Sequence, residues 1–448
     1  MEECLKSEAK FLTEFPFKFD YTFNDLLIDS TNKKILSMKI YNLIFYILFP
    51  FILLRGLYKS FKYGEKLSRN FEKLSIFKNK KNSKSIILIH AVSVGEVLAS
   101  RKFVEEVKKR FPNHQILITC TTQTGSATIK RIYGNSVSHQ YLPYDLRFFI
   151  KRFLKLWNPE ITFILETEIW PNLIDQLNRQ KRKVFLVNGR LSEKSFKRYK
   201  LFLPILDNVF AKLDFTVCQG SEDLDRFVDL GIEKHKIKKD FSFKFDSISI
   251  KQEKKIDFIN AKGGKKVIIC ASTHNPEEKM LIDAFELLND EKVLLILVPR
   301  HPERTIKIQK EMIKSQKEAS LFSRNQHKID FSKKIILIDE IGYLENLFSL
   351  ADIAFIGGSL IDHGGQNFLE AVKFSLPISS GNSYFNFQEI AEDLIELNIL
   401  KTADTSKELS NIWKKQLSLT SNEIARQASD YLAQRQGAST RTLEHLPL

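Results

Sequence analysis

From residue 85 onward the chain alternates between two kinds of stretch. Short apolar runs rich in β-branched residues fall at 85–90, 115–120, 161–165, 183–188 and 215–218. They resume at 267–271, 293–298, 335–339, 353–356 and 376–379. Longer stretches with helical spacing lie between them. Strands that alternate with helices form parallel sheets wound on both faces. A polar, lysine-rich joint from about 247 to 266 separates the two sets. The pattern therefore predicts an α/β protein with two Rossmann-like domains facing a cleft. Ligands of such sheets sit outside the carboxyl ends of the strands.

The N-terminal part reads differently. Residues 1–37 are polar and without period, and predict an extension that precedes the folded domains. The segment 41–54, Tyr-Asn-Leu-Ile-Phe-Tyr-Ile-Leu-Phe-Pro-Phe-Ile-Leu-Leu, is apolar but short, and Pro50 interrupts it. A membrane span needs about 20 apolar residues. Arg55, Lys59, Lys62, Lys66, Arg69, Lys73, Lys78, Lys80, Lys81 and Lys84 follow. Basic residues beside an apolar segment hold it on the cytoplasmic side and attract anionic lipid. Residues 38–60 are thus expected to be an anchor lying in, or dipping through, the inner leaflet; the bland alternative is a buried core helix. Residues 61–250 and 251–448 are expected to be the two domains, as 448 residues allow. The net charge of +15 favours polyanionic partners: nucleic acid, an anionic membrane face or a phosphorylated substrate. Cys4, Cys120, Cys218 and Cys270 are scattered, so they suggest neither a disulfide frame nor a zinc site.

Candidate chemistry gathers at the predicted strand ends. Phe355-Ile-Gly-Gly-Ser-Leu-Ile-Asp-His-Gly-Gly-Gln-Asn-Phe-Leu-Glu370 carries two glycine pairs ahead of a helical run. Gly358 and its neighbours would let a backbone approach a phosphate, and Asn367 and Glu370 would cap the helix or hold ribose hydroxyls. Glu96 follows the strand 85–90 at a helix start, either as a general base or as a first-turn carboxylate serving the helix dipole. Glu166 and Glu168 follow the strand 161–165, and alternation would point both to one side. Arg190 ends the next strand, where a guanidinium is suited to phosphate. Ser272, Thr273 and His274 end the strand 267–271, and Pro299 and Arg300 end the one after it; a guanidinium there suits phosphate. Ordinary surface loops would explain several of these equally well. The histidines 274, 301 and 363 lack an acidic partner, so no metal is expected.

One family matches this series. His90-Ala-Val-Ser-Val-Gly-Glu96, Tyr141-Leu-Pro-Tyr-Asp145, Glu166-Thr-Glu-Ile-Trp-Pro-Asn172, Ala271-Ser-Thr-His274, Val298-Pro-Arg-His-Pro-Glu303, Gly357-Gly-Ser-Leu360 and Gly364-Gly-Gln-Asn-Phe-Leu-Glu370 occur in order. Together they resemble the 3-deoxy-D-manno-octulosonic acid (Kdo) transferases of lipid A biosynthesis, from about Met38 to near the C-terminus. The resemblance implies the GT-B fold and inverting transfer of Kdo from CMP-Kdo to lipid IVA at the cytoplasmic face of the inner membrane. It implies that Glu96 is the base and that Glu166 and Lys244 support the transition state. It places Pro299, Arg300, Ile341, Gly342, Tyr343, Asn367, Phe368, Leu369 and Glu370 at the CMP site. No cofactor, no metal and no nucleic acid are implied; anionic membrane lipid is. The chain departs from the family pattern where Tyr343 stands for a glutamate, Gln366 for a histidine, Phe368 for a proline and Asn382-Ser383 for a Pro-His pair. Two rival readings are another GT-B enzyme, a transferase or epimerase acting on a UDP-linked sugar, and a non-catalytic basic protein. Competition by CMP against UDP separates the first, and binding that vanishes with salt would mark the second.

Overall fold

The computed structural model describes residues 33–62, 67–77, 84–206, 208–248, 262, 264–325, 329–419 and 422–448. The extension before residue 33, the basic positions Lys66, Lys78, Lys80 and Lys81, and most of the expected joint, 249–261, lie outside the described residues.

Two parallel sheets of seven strands make up the body. The first contains β1 (Ile86–His90), β2 (Gln115–Cys120), β3 (Ser138–Tyr141), β4 (Pro159–Leu165), β5 (Lys183–Gly189), β6 (Phe215–Cys218) and β7 (Ile237–Lys239), in the order 3-2-1-4-5-6-7. The second contains β8 (Lys266–Thr273), β9 (Val293–Pro299), β10 (Ser320–Leu321), β11 (Ile335–Leu337), β12 (Ile353–Ile356), β13 (Ile378–Ser380) and β14 (Leu400–Thr402), in the order 10-11-9-8-12-13-14. Helices cover both faces of each sheet and close four apolar clusters, two per sheet. Each order reverses once, between β1 and β4 and between β8 and β12. The loops leaving those strands splay apart there and open a crevice. Glu96 and Glu166 stand beside the first crevice; residues 272–274 and the glycine loop stand beside the second.

The last helix does not stay with the second sheet. Ala438–His445 buries Ala438 and Leu443 in a core of the first, together with Phe103 and Phe243. The chain turns back at Gly437, φ 83°, where a Cβ would be strained. The Asp246 carboxylate accepts from Gly437 N (2.6 Å) and Ser439 N (2.7 Å), capping that helix. Arg441 grips Asp240 at 2.8 Å.

The apolar segment forms one helix, Lys33–Lys62, that runs unbroken through Pro50 and is longer than the apolar run alone suggested. Residues Met38–Tyr58 are long and apolar enough to cross a membrane. The buried-core reading does not hold, since Ile47 (63% exposed), Phe51 (70%) and Phe61 (88%) face outward. The helix is pinned to the first domain along its length, from Tyr41 to Ser60, whose hydroxyl donates to Asn70. Tyr41 OH donates to Asp145 Oδ2 (3.0 Å), Asn172 Nδ2 donates to Asn42 Oδ1 (3.0 Å), and Phe49 lies on Tyr144 and Phe149.

Candidate active site between two switch-point crevices

Glu96 is the third residue of the helix Val94–Ala99, which starts where β1 gives out at the crevice. Ser93 is the N-cap, and serine and glutamate form a reciprocal capping box. Glu96 Oε1 accepts from Ser93 N (3.2 Å) and Ser93 Oγ (2.8 Å), and Oε2 from Val92 N (2.8 Å). The carboxylate thus serves the helix start, as the bland reading expected. It is also only 8% exposed. A carboxylate has about four acceptor positions; three are used, and the one left is on Oε2. Burial, and then the charge of Glu166, push its pKa up to about 7 against the three hydrogen bonds. A carboxylate with that pKa and a spare lone pair can take a proton at neutral pH.

Glu166 and Glu168 do not project by strand alternation. β4 ends at Leu165, and Glu166 has φ 55°, a left-handed conformation that ends the extended register. The loop returns them to Glu96 all the same, and both raise its pKa. Burial raises the pKa of Glu168 itself. The loop is held from behind: Thr167 Oγ1 donates to Arg190 O, and Tyr199 OH donates to Thr167 O (2.9 Å). Asp145, which the Tyr141–Asp145 motif delivers, accepts from Asn172 N (2.9 Å) and Leu173 N (3.0 Å) and so fixes the helix Pro171–Arg179 that follows the loop. Burial lifts its pKa to about 6. Its service is structural.

Lys244 sits on a single turn, Phe243–Phe245, whose phenylalanines are buried. Burial lowers its pKa while Glu166 opposes that shift. Its ammonium lies 4.3 Å from the ring centre of Phe387, on the second domain. Arg190, expected to face phosphate, instead donates from Nη2 to Phe385 O (3.1 Å) in the same turn. Asn386, between them, donates from Nδ2 to His363 O (2.9 Å) and from its backbone N to Gly364 O (3.0 Å). The turn 385–387 therefore joins the cations of one domain to the glycine loop of the other. Nothing in the sequence marked it.

The glycine loop is occupied by the protein itself. Glu277, fully buried, accepts from Gly358 N (2.7 Å), Ser359 N (2.9 Å), Leu360 N (2.9 Å) and His274 N (2.7 Å). The N–H of Gly358 is thus not free for a phosphate. Gly357 is needed because a Cβ would stand 2.6 Å from Ser272 O, and the close approach is to another strand end. Thr273, fully buried, donates to Glu278 Oε1 (2.9 Å), so it too faces inward. Ser272, φ 55°, is half-buried. Phe368 and Leu369 are fully buried core residues. Asn367 Oδ1 accepts from Leu369 N (3.2 Å) and its amide donates to Glu370 (3.3 Å), which is helix capping. The signal for Glu277 was present, a carboxylate three residues beyond a strand-end histidine.

Of the other expected donor-site residues, Arg300, Ile341 and Gly342 are exposed. Arg300 is exposed at the end of β9, within electrostatic reach of Glu370. Pro299 is the buried last residue of β9 and pairs with Thr273. Ile341 is 87% exposed, Gly342 has φ 103°, and Tyr343 packs edge-on against Phe322 at 4.9 Å. His274 stands 4.3 Å from His363 and 6.1 Å from His301, ring centre to ring centre, and burial followed by these neighbours lowers its pKa. Among the described residues no three His, Cys, Asp or Glu side chains come together as metal ligands. A cavity of about 620 Å³ opens beside residues 359–362, but Asp362, Glu392 and Asp404 line it, the wrong charge for a phosphate.

Comparison with known proteins decides the family. A family model described as 3-Deoxy-D-manno-octulosonic-acid transferase (kdotransferase) matches residues 68–247. The 3-deoxy-D-manno-octulosonic acid transferase of Haemophilus influenzae is 36% identical over 328 residues, 71% of this chain and 76% of the relative. The chain belongs to the Kdo transferase family. The transferase of Rickettsia bellii is 29% identical over 377 residues, 84% of this chain and 90% of its own. UDP-GlcNAc 2-epimerase from Neisseria meningitidis, solved with UDP-GlcNAc bound, shares the two-domain fold at 13% identity with a TM-score of 0.58, covering 80% of this chain and 99% of that one. This Kdo transferase is a GT-B glycosyltransferase that transfers Kdo in lipopolysaccharide biosynthesis.

Proposed function

We propose that the enzyme moves Kdo from CMP-Kdo to a hydroxyl of lipid IVA with inversion, and that Glu96 is the general base. The observation that carries this is the buried Glu96 carboxylate, with its pKa raised to about 7 and one acceptor position unused at the crevice. The acceptor hydroxyl is too weakly acidic to attack alone at neutral pH. Glu96 Oε2 takes its proton as the new C–O bond forms at the anomeric carbon and the bond to the CMP phosphate breaks. CMP departs as an anion, so no acid is required of the protein. Stabilising that developing charge is worth more in a dry cleft than in water.

Arg300 is the cation for this purpose, since Glu277 already holds the backbone N–H groups of 358–360. Glu166 holds Glu96 basic by its charge, and Lys244 would supply a cation to the Kdo carboxylate or the departing phosphate. Pro299, Ile341, Gly342, Tyr343, Ser272, Asn367 and Glu370 would border the nucleotide. Phe368, Leu369, Thr273 and Gly358 act behind them, as core or loop support. The membrane helix would keep the first domain at the cytoplasmic face of the inner membrane, where an acylated acceptor resides. Incubation with CMP-Kdo and lipid IVA, with the product weighed by mass spectrometry, tests the reading. A product lacking Kdo, or donor competition by UDP and not CMP, would overturn it.

A further inference from the structure

Two helices beside the membrane helix show the same unusual surface. Glu193–Phe202 buries no residue at all. It packs inward through Phe196 and Tyr199, and leaves Leu201 (74% exposed) and Phe202 (50%) outside. Lys194, Arg198 and Lys200 are exposed on the same helix. Arg147–Trp157 buries Phe149, Ile150, Phe153 and Leu154, yet leaves Phe148 55% exposed beside the exposed Lys151 and Arg152. Large apolar side chains next to exposed cations are poor surface for water and good surface for a lipid interface. There the rings enter the acyl boundary and the cations meet anionic headgroups.

Both helices adjoin the membrane helix. Phe49 lies 5.5 Å from Phe149, centre to centre. The turn Leu203–Ile205, which continues Glu193–Phe202, contacts the membrane helix. Both helices therefore adjoin the inward face of the membrane helix, whose outward face carries Ile47, Phe51 and Leu54.

We propose that these two helices form an interfacial collar that rests on an anionic bilayer on either side of the membrane helix. This goes beyond anchoring, because three contacts fix the tilt of the domain where one helix does not. It also says where an acylated acceptor enters. Tyr199 OH holds Thr167 O at 2.9 Å, so the collar helix and the Glu166–Glu168 loop are one unit. The bilayer would then lie at the edge of the Glu96 crevice. This last step rests on the proposed role of that crevice; the collar itself does not.

The probe is the full chain with vesicles of phosphatidylcholine alone or with anionic phosphatidylglycerol. Leu201→Trp reads depth directly: indole fluorescence should be quenched by lipids brominated high on the acyl chain, beyond the quenching of the parent protein. No added quenching overturns the collar, whether or not the membrane helix holds the protein on the vesicle. Leu201→Ser with Phe202→Ser should weaken vesicle binding about tenfold. Lys194→Gln, Arg198→Gln and Lys200→Gln should weaken it about fivefold each, on anionic vesicles only. Equal losses on neutral vesicles would show that these cations do not meet anionic headgroups and would refute the lipid reading. Transfer to a detergent-dispersed acceptor should survive the Leu201 and Phe202 changes; if it is lost while quenching persists, the entry route fails and the collar stands.

Discussion

Glu96→Gln separates two services of one side chain. Glutamine at this position keeps the capping-box geometry, since its amide oxygen can still accept from Ser93. It cannot take a proton. Loss of a positioned base costs about 10²–10⁴-fold, so kcat should fall at least a hundredfold while CMP binding is kept. Stability should move the other way. Burial and Glu166 raise the Glu96 pKa from 4.5 to about 7. At about 1.4 kcal/mol per unit, ionising this buried carboxyl costs the folded state about 3 kcal/mol at pH 8. The sign follows: the folded-state pKa is raised, so the group's stabilising contribution is full below pH 4.5 and is lost as pH rises through 7. Glu96→Gln, neutral throughout, should match the parent near pH 4.5 and be about 3 kcal/mol more stable at pH 8. Hydrogen exchange across the helix Val94–Ala99 at both pH values reads this locally, and CMP release reads turnover. The kcat/KM of the parent should rise with pH up to about 7 and level above it. A glutamine variant within tenfold of normal turnover, or a stability gap that does not open between pH 5 and 8, would refute the argument.

Three further changes test other parts of the cleft. Glu277→Gln turns an amide N–H₂ toward four backbone donors and should destabilise the second domain by about 3 kcal/mol or more; unchanged thermal unfolding would show that the loop holds itself. Arg300→Ala should lower kcat/KM for CMP-Kdo by about a hundredfold, with Arg300→Lys between, and an unaltered value in steady-state kinetics removes the guanidinium from the donor site. Phe387→Leu removes the ring that faces Lys244 at 4.3 Å and should reduce kcat by up to about tenfold, whereas Phe387→Tyr, which keeps the π face, should not. Equal effects of the two would mean that the ring acts only by filling space.

What the sequence held was mainly the inside of each sheet. All ten expected strands are present, within a few residues at their ends. The four that were missed, β3, β7, β10 and β14, are the two edges of each sheet. The reason is physical. An inner strand of a parallel sheet is covered on both faces and must be apolar at nearly every position. An edge strand pairs on one side only and can be short and polar, as Ser138–Tyr141 and Ile237–Lys239 are, so its composition says little. The strand-end position of the candidate residues was also legible, because chain order alone places them there.

Only the tertiary structure decided what each of those residues touches. Glu277 in the glycine loop, the turn 385–387 against Lys244 and Arg190, and the return of Ala438–His445 to the first sheet join positions far apart in the chain. No local pattern encodes such a contact. The partner is set by how two sheets and their loops fit in space, and a buried carboxylate takes whichever N–H groups the fold brings within its reach.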